Sequence, residues 1–230
     1  MADVSAKWTV VVPVKRFQSA KSRLDIGDAR ADVARAMAED VLEVVGRCSA
    51  VSEIVIVTSE PNWPRECESS VPTRVHPDLA CTLNGAASSA VASVSPAVFS
   101  AIITADLPFL RTDELATALQ RGVDVARGMV TDYPGTGTTL LTARPGAGHR
   151  PRFGEDSSRL HAEVGYVALN TGADAGLRRD VDTVEDLEAM SHLGIGPRTA
   201  TALRAYGMDV VGVEAILRRQ SQRKVLADAH

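Results

Sequence analysis

Four cations, Lys15, Arg16, Lys21 and Arg23, stand close together near the start of the chain with no acid among them. They follow a run of β-branched residues at 9–12 that reads as a buried strand, with Pro13 set to end it. A strand that empties into a cationic loop is how an open α/β sheet offers charge to phosphate, because its ligands sit beyond the carboxyl ends of the strands. Carboxylates come from two distant places. Asp106 stands just past the apolar run 99–104, and Asp180 and Asp182 flank Val181. If 178–182 is extended, both of those side chains point the same way. Carboxylates from two strand ends suit a hard cation such as Mg²⁺ that also holds substrate phosphates. With Lys15, Lys21 and Arg23 gripping a triphosphate and Mg²⁺ on Asp106, Asp180 and Asp182, the chemistry would be nucleotidyl transfer with pyrophosphate leaving. Each piece has a plainer reading: a solvated basic loop, a turn aspartate bonded to its own backbone, a helix cap at Asp182 or Thr183.

Two further loops carry groups suited to an anion. Gly135-Thr136-Gly137-Thr138 is either a hairpin turn or a set of backbone N–H groups and hydroxyls aimed at a ligand. Gly154, Asp156, Ser157 and Ser158 form a similar nest, flanked by Arg152 and His161. A second anion loop would suit a phosphorylated or carboxylated acceptor placed opposite the triphosphate.

The elements that must position these groups follow from periodicity. Helical spacing runs over 28–45, with Val33, Met37, Val41, Leu42 and Val45 on one face and Asp28 as the cap. A second strand is expected at 54–58, which makes a right-handed βαβ unit. A short helix and loop are expected over 61–70 and a weak strand at 73–75. A polar loop at 76–85 then leads into an Ala/Ser-rich helix that ends near Val94. The strand 99–104 precedes a helix capped by Thr112, with Leu115 and Leu119 inward. Strands are expected at 128–131 and 138–142, loop over 143–161, and a last strand at 178–182. Thr183 caps a helix with Glu185 and Asp186 in its first turn, and 194–230 reads as helical. The alternation gives an α/β fold, a mostly parallel central sheet flanked by helices.

Composition sets limits. The chain has 230 residues, 45 % of them hydrophobic, enough for a sizeable core in one large domain with or without an extension. A net charge of −4 argues against a general nucleic-acid binder, so the cationic loop is a local feature. Cys48, Cys67 and Cys81 are odd in number and lack C-x-x-C spacing, which fits a reducing cytosol without disulfides or a zinc site. Residues 1–7 lack the apolar core of a signal peptide, and no apolar run approaches a membrane span. The expectation is a cytoplasmic protein with neither membrane nor nucleic acid as partner.

Taken together the motifs resemble a known family. Pro13-Val14-Lys15 with Ala20-Lys21-Ser22-Arg23-Leu24, the Leu83-Asn84 pair opening a helix, and Asp106-Leu107-Pro108 occur in the family's order. So do Gly135-Thr136-Gly137-Thr138, Arg152-Phe153-Gly154 with Ser157, and Asp180-Val181-Asp182-Thr183 with Asp186-Leu187. The chain from about Trp8 to about Leu203 resembles the guanylyltransferases of coenzyme F-420 biosynthesis, its actinobacterial branch most. The resemblance implies a glycosyltransferase-A-like nucleotidyltransferase fold over 1–206, with 207–230 as a helical extension. It implies transfer of GMP from GTP to phosphoenolpyruvate, or in other branches to 2-phospho-L-lactate or 3-phospho-D-glycerate. The product would be handed to the enzyme that joins it to the deazaflavin precursor. By motif, Thr138, Gly154 and Ser157 match acceptor-binding positions, and Asp106 with Asp180 and Asp182 match magnesium positions. The base would be read around Leu83-Asn84-Gly85.

One departure matters. Nucleotidyltransferases of the wider superfamily open with a glycine-rich loop, and no glycine lies between Thr9 and Leu24. Fewer backbone N–H groups can then approach phosphate, so Lys15, Lys21 and Arg23 must carry more of the binding. Arg16 is free to face solvent. Two rivals stay in view. Gly194-Ile195-Gly196-Pro197 looks like half of a DNA-binding helix-hairpin-helix, though it is also a good helix stop and start. A cytidylyl- or molybdopterin-type enzyme would share the machinery and differ in substrate. Oligomeric state and the role of the basic tail with Arg218, Arg219, Arg223 and Lys224 are left open by the sequence.

Overall fold

The computed structural model describes residues 6–208 apart from 22, 25, 61–62, 64–69, 81 and 173–174. Strand β1, Trp8–Val14, is buried along its whole length. Val10, Val12 and Val14 join one core cluster and Val11 the other, as the two-residue period of a strand requires. Pro13 does not end this strand. It sits in register with Val57 of β2, while pairing to β4 stops at Val11, so its missing N–H is tolerated where one neighbour has gone.

Helix α1, Ala29–Arg47, packs Val33, Met37, Val41, Leu42 and Val45 inward. Asp28 stands at its N-cap without a side-chain capping bond, contrary to the sequence reading. Strands β2 (Val51–Thr58) and β3 (Thr73–Pro77) follow, then α2, Leu83–Ala92, capped by Thr82. After β4, Phe99–Ile103, Thr112 is the first residue of α3 (Thr112–Gly122) and not its cap; Glu114 instead accepts the Arg111 N–H. Strands β5 (Arg127–Thr131) and β6 (Thr138–Ala143) form a hairpin.

The stretch 143–161 is not all loop, because α4 (Ser157–Glu163) begins inside it after Asp156, whose φ is +53°. A two-residue strand, β7 (Val167–Ala168), is too short and exposed to leave a periodic signal. The strand expected at 178–182 is absent: a 3₁₀ turn occupies Gly176–Arg178, and beyond it the Val181 N–H donates to the Asp106 carbonyl. Helices α5 (Val184–Ala189) and α6 (Pro197–Ala205) complete the described elements. The helix and loop expected at 61–70 and the extension at 207–230 lie almost wholly outside the described residues.

The sheet runs β3-β2-β1-β4-β6-β5-β7. Its β3-β2-β1-β4 half is parallel, β6 is antiparallel to both neighbours, and β7 pairs parallel with β5. Helices α1 and α3 fill one face and α2 the other. The chain steps from β1 outward to β2 and β3, then back to β4 on β1's other side. That reversal opens a crevice at the carboxyl ends of β1 and β4.

The candidate DNA motif has another task. Asp40 of α1, 4 % exposed, accepts from the backbone N–H groups of Arg198 and Thr199 and from the Thr199 hydroxyl, at 2.6–3.0 Å. A side chain on Gly196 would meet the Asp40 carboxylate at 2.2 Å. The donors that would face a DNA phosphate at the start of α6 are already taken by this acid.

Candidate active site

The crevice holds a cavity of about 290 Å³, lined by Lys15, Lys21, Arg23, Leu83, Asp106 and Asp182 among others. These residues come from opposite ends of the chain. Lys21 lies at the centre. Its ammonium sits 2.5 Å from Asp106 Oδ2 and 2.9 Å from Asp182 Oδ1, and Arg23 pairs with the other Asp182 oxygen. The Lys21 backbone has φ +54°, a left-handed conformation that costs a non-glycine residue roughly 1–2 kcal/mol. Local strain is accepted there to aim the ammonium at both acids.

The carboxylates are held by their motifs. Leu107 is buried after Asp106, and the Pro108 carbonyl accepts the Gly196 N–H at 2.7 Å. Thr183 caps α5, and Asp186 accepts the N–H groups of Asp182 and Thr183 at 3.0 and 2.8 Å. That reciprocal cap orients the Asp182 backbone, which explains the spacing of the Asp-Val-Asp-Thr motif. Val181 between the two acids is buried, and Asp182 lines the crevice while Asp180 is not among its lining residues. Burial alone would raise the Asp106 carboxyl, but the charge and hydrogen bond of Lys21 outweigh it and hold the group below its usual range. Asp180 is pushed up to about 7 by burial and then by the charge of Asp106, which the charge of Lys21 only partly offsets.

This donor set suits a hard divalent ion of the Mg²⁺ kind. Asp106 Oδ1 is buried and has no hydrogen-bond partner among the described residues, an orphaned carboxylate oxygen beside a second acid. No three His, Cys, Asp or Glu side chains among the described residues form a closed metal cage. An ion completed by one or two carboxylates, water and substrate phosphates needs none.

The two anion loops are brought together beside this crevice. Thr104 N–H donates to the Thr139 carbonyl, continuing the β4–β6 register, so Thr138 lies next to the residue before Asp106. The hydroxyls of Thr138 and Ser157 are 3.2 Å apart, and the Gly154 carbonyl accepts the Ser157 N–H. The backbone N–H groups of Gly135 and Gly137 do not face a ligand, however. Both donate to the Asp132 carboxylate at 2.7 and 2.8 Å, and a side chain on Gly137 would strike it. The loop is built around its own acid, and the Thr138 hydroxyl that follows it meets His161 and Ser157 instead.

His161, which the sequence marked only as a flank, organises that hydroxyl. Arg152 N–H donates to His161 Nε2 at 2.8 Å, so the ring proton is on Nδ1, 2.9 Å from Thr138 Oγ1. Thr138 therefore accepts from His161 and Ser157, and its own hydroxyl hydrogen is left to donate. Burial lowers the His161 pKa to about 4. Because the folded value lies below the unfolded one, near 6.5, stability contributed by neutral His161 is present above pH 6.5 and lost as pH falls toward 4. Other groups, His149 among them, titrate in the same window, so the readout is the difference: urea-unfolding stabilities of wild type and His161→Gln should converge by about 3 kcal/mol as pH falls from 6.5 to below 4.

Asn84 is held by the neighbouring loop. Its amide nitrogen donates to the Phe153 carbonyl and its oxygen accepts the Phe153 N–H, at 2.9 and 2.7 Å. It ties the start of α2 to the loop that carries Gly154, while Leu83 lines the crevice.

The sequence model of the family described as "Guanylyl transferase CofC like" matches residues 8–224. The chain belongs to this family. The CofC-like enzyme is thus a nucleotidyltransferase, and its relatives agree. It is 45 % identical over 199 residues to the phosphoenolpyruvate guanylyltransferase of Salinispora arenicola, covering 84 % of this chain and 92 % of that protein. It is 41 % identical over 202 residues to the one from Streptomyces avermitilis, covering 85 % and 94 %. Among solved structures, the fold matches a protein assigned as a nucleotide-diphospho-sugar transferase from Desulfovibrio desulfuricans, with a TM-score of 0.65 at 17 % identity over 86 % of this chain and 97 % of that one. It also matches 4-diphosphocytidyl-2C-methyl-D-erythritol synthase from Anaerococcus prevotii, with a TM-score of 0.56 at 9 % identity over 79 % and 93 %. The CofC-like chain therefore has the nucleotide-diphospho-sugar transferase type of α/β fold. No helix among its described residues is long and apolar enough to cross a membrane.

Proposed function

We propose that this guanylyltransferase transfers GMP from GTP to phosphoenolpyruvate in the cytoplasm, supplying the activated intermediate of coenzyme F-420 assembly for handover to the next transferase. The observation that carries the reading is the Lys21–Asp106–Asp182 cluster at the sheet's switch point, in a chain whose relatives are named for this reaction. Lys15, Lys21 and Arg23 take the triphosphate, while Asp106 and Asp182, the two acids that line the crevice, would hold Mg²⁺, which when bound would neutralise charge at the reacting phosphate; Asp180, the third acid expected there, stands outside that lining. Thr138, Gly154 and Ser157 hold the acceptor beside Asp106. A phosphate oxygen of the acceptor forms a bond to the α-phosphorus of GTP. The bond from that phosphorus to the bridging oxygen breaks, and pyrophosphate leaves with the electron pair.

The test is to incubate the protein with GTP and Mg²⁺ and, separately, phosphoenolpyruvate, 2-phospho-L-lactate or 3-phospho-D-glycerate, and to measure pyrophosphate release. Release with phosphoenolpyruvate above the other acids is the expected result; release with another acid alone would reassign the acceptor. In the same assay Thr138→Val should raise the acceptor's KM about tenfold and leave that of GTP nearly unchanged, the loss of one donor in a buried site. An unchanged acceptor KM would move this loop away from the acceptor.

A further inference from the structure

The crevice continues past Leu83. A second cavity of about 350 Å³ opens over the ends of β1 and β2, lined among others by Lys15, Val57, Ser59, Asp78, Thr82 and Ala86. Pro13, Val14, Lys15, Ser19 and Leu83 line both cavities. They are two halves of one trough across the end of β1. A triphosphate held in the Asp106 half directs its nucleoside into the other. Val57, Leu83 and Ala86 give that half apolar walls against which a flat base can pack.

Its polar groups are unevenly committed. Thr82 already accepts the Gly85 N–H. Asn84 is tied to Phe153. Asp78 is the carboxylate among the lining residues, and its position is fixed. Its N–H donates to the Thr58 carbonyl at 3.0 Å, and its Oδ1 accepts the Ala80 N–H at 3.0 Å. Gly85 permits this loop to lie close, since a side chain there would meet Ala80 Cβ at 2.7 Å. Asp78 Oδ2 has no partner among the described residues.

We propose that Asp78 is the base-selecting residue and that it accepts from the guanine N1–H and exocyclic N2–H₂. Guanine has two adjacent donors on that edge, and an ionised carboxylate is an acceptor-only group. Adenine would turn a bare N1 lone pair toward the same oxygens, and cytosine its N3 and O2, so both are repelled. Base choice thus lies at the end of β3, one loop before the Leu83-Asn84 pair. This assignment rests on the guanylyltransferase reading.

The experiment measures binding by calorimetry, in Mg²⁺, of GTP, ATP and the triphosphates of inosine and xanthosine to wild type and Asp78→Asn. Asn keeps an oxygen for the Ala80 N–H and offers an amide hydrogen to the xanthine C2 carbonyl. Asp78→Asn should bind GTP roughly 10–100-fold more weakly, the worth of one bidentate base contact, and should bind xanthosine triphosphate better than wild type does. Wild type should prefer GTP over inosine triphosphate, which lacks the N2 amine. Equal weakening of every nucleotide would mean that Asp78 holds the ribose and would overturn the proposal. Unchanged GTP binding by Asp78→Asn would overturn it too, and it alone. A wild type that binds no GTP would overturn the guanylyltransferase reading and this assignment with it.

Discussion

Asp106→Asn should lower turnover about 10²–10³-fold while the protein stays folded. The amide has nearly the same shape, and the Asp106 carbonyl keeps its bond from Val181 N–H, so the turn after β4 survives. What is lost is charge. The orphaned Oδ1 and the oxygen paired to Lys21 belong to one carboxylate, and an amide neither neutralises the lysine nor binds a hard cation well. The measurement is pyrophosphate release beside thermal unfolding, with divalent-ion binding followed in parallel. Activity near that of wild type in a folded variant would remove Asp106 from the reacting centre.

Lys21→Met separates two roles of one ammonium. GTP binding should weaken first, because the cation nearest the acid cluster is gone. Stability should also fall in a chelating buffer, since Asp106 and Asp182 lose the charge between them. Losing one partner of a buried pair typically costs 3–5 kcal/mol. Here the Asp182 side chain is 36 % exposed and water screens it, so about 1–3 kcal/mol is expected. Added Mg²⁺ should return most of that stability, because it replaces the missing positive charge. The readouts are nucleotide Kd and urea unfolding with and without Mg²⁺. A variant whose defect is confined to the acceptor would reverse the allocation of the two substrates.

How much of this was legible in the sequence differs by element. The parallel half of the sheet was, because β-branched runs buried on both faces leave continuous apolar stretches at 9–12, 54–58 and 99–104. Thr183 was legible as a cap because its partner Asp186 lies within one helical turn. Asp28 and Thr112 were misread as caps by the same local rule, since backbone geometry decides which residue is the cap. The segment 178–182 has no ladder, because pairing is a tertiary fact, and without it only Asp182 of the two acids lines the crevice. In the site, the cations and acids could be named from type and spacing. The Asp132 carboxylate inside the Gly-Thr-Gly-Thr loop, the His161 tautomer and the Asn84–Phe153 tie could not. Each depends on residues that meet only after folding, and a glycine-rich loop wrapped around its own aspartate has the same composition as one awaiting a ligand.

The acid beneath α6 bears on the order in which the chain can fold. Asp40 belongs to the first βαβ unit, yet its partners are 158 and 159 residues away. Burial pushes its carboxyl upward in pKa, and bonds from Thr199 and Arg198 pull it back. At a synthesis rate of about 5–20 residues per second, the N-terminal half waits roughly ten to thirty seconds for those donors. Until then α1 carries a carboxylate that must stay hydrated or bind a proton, and Val33 and Met37 lack the cover of Leu203. The most local unit of the fold is thus completed by one of the last described segments to be made, which ties its final closure to the arrival of the C-terminal end.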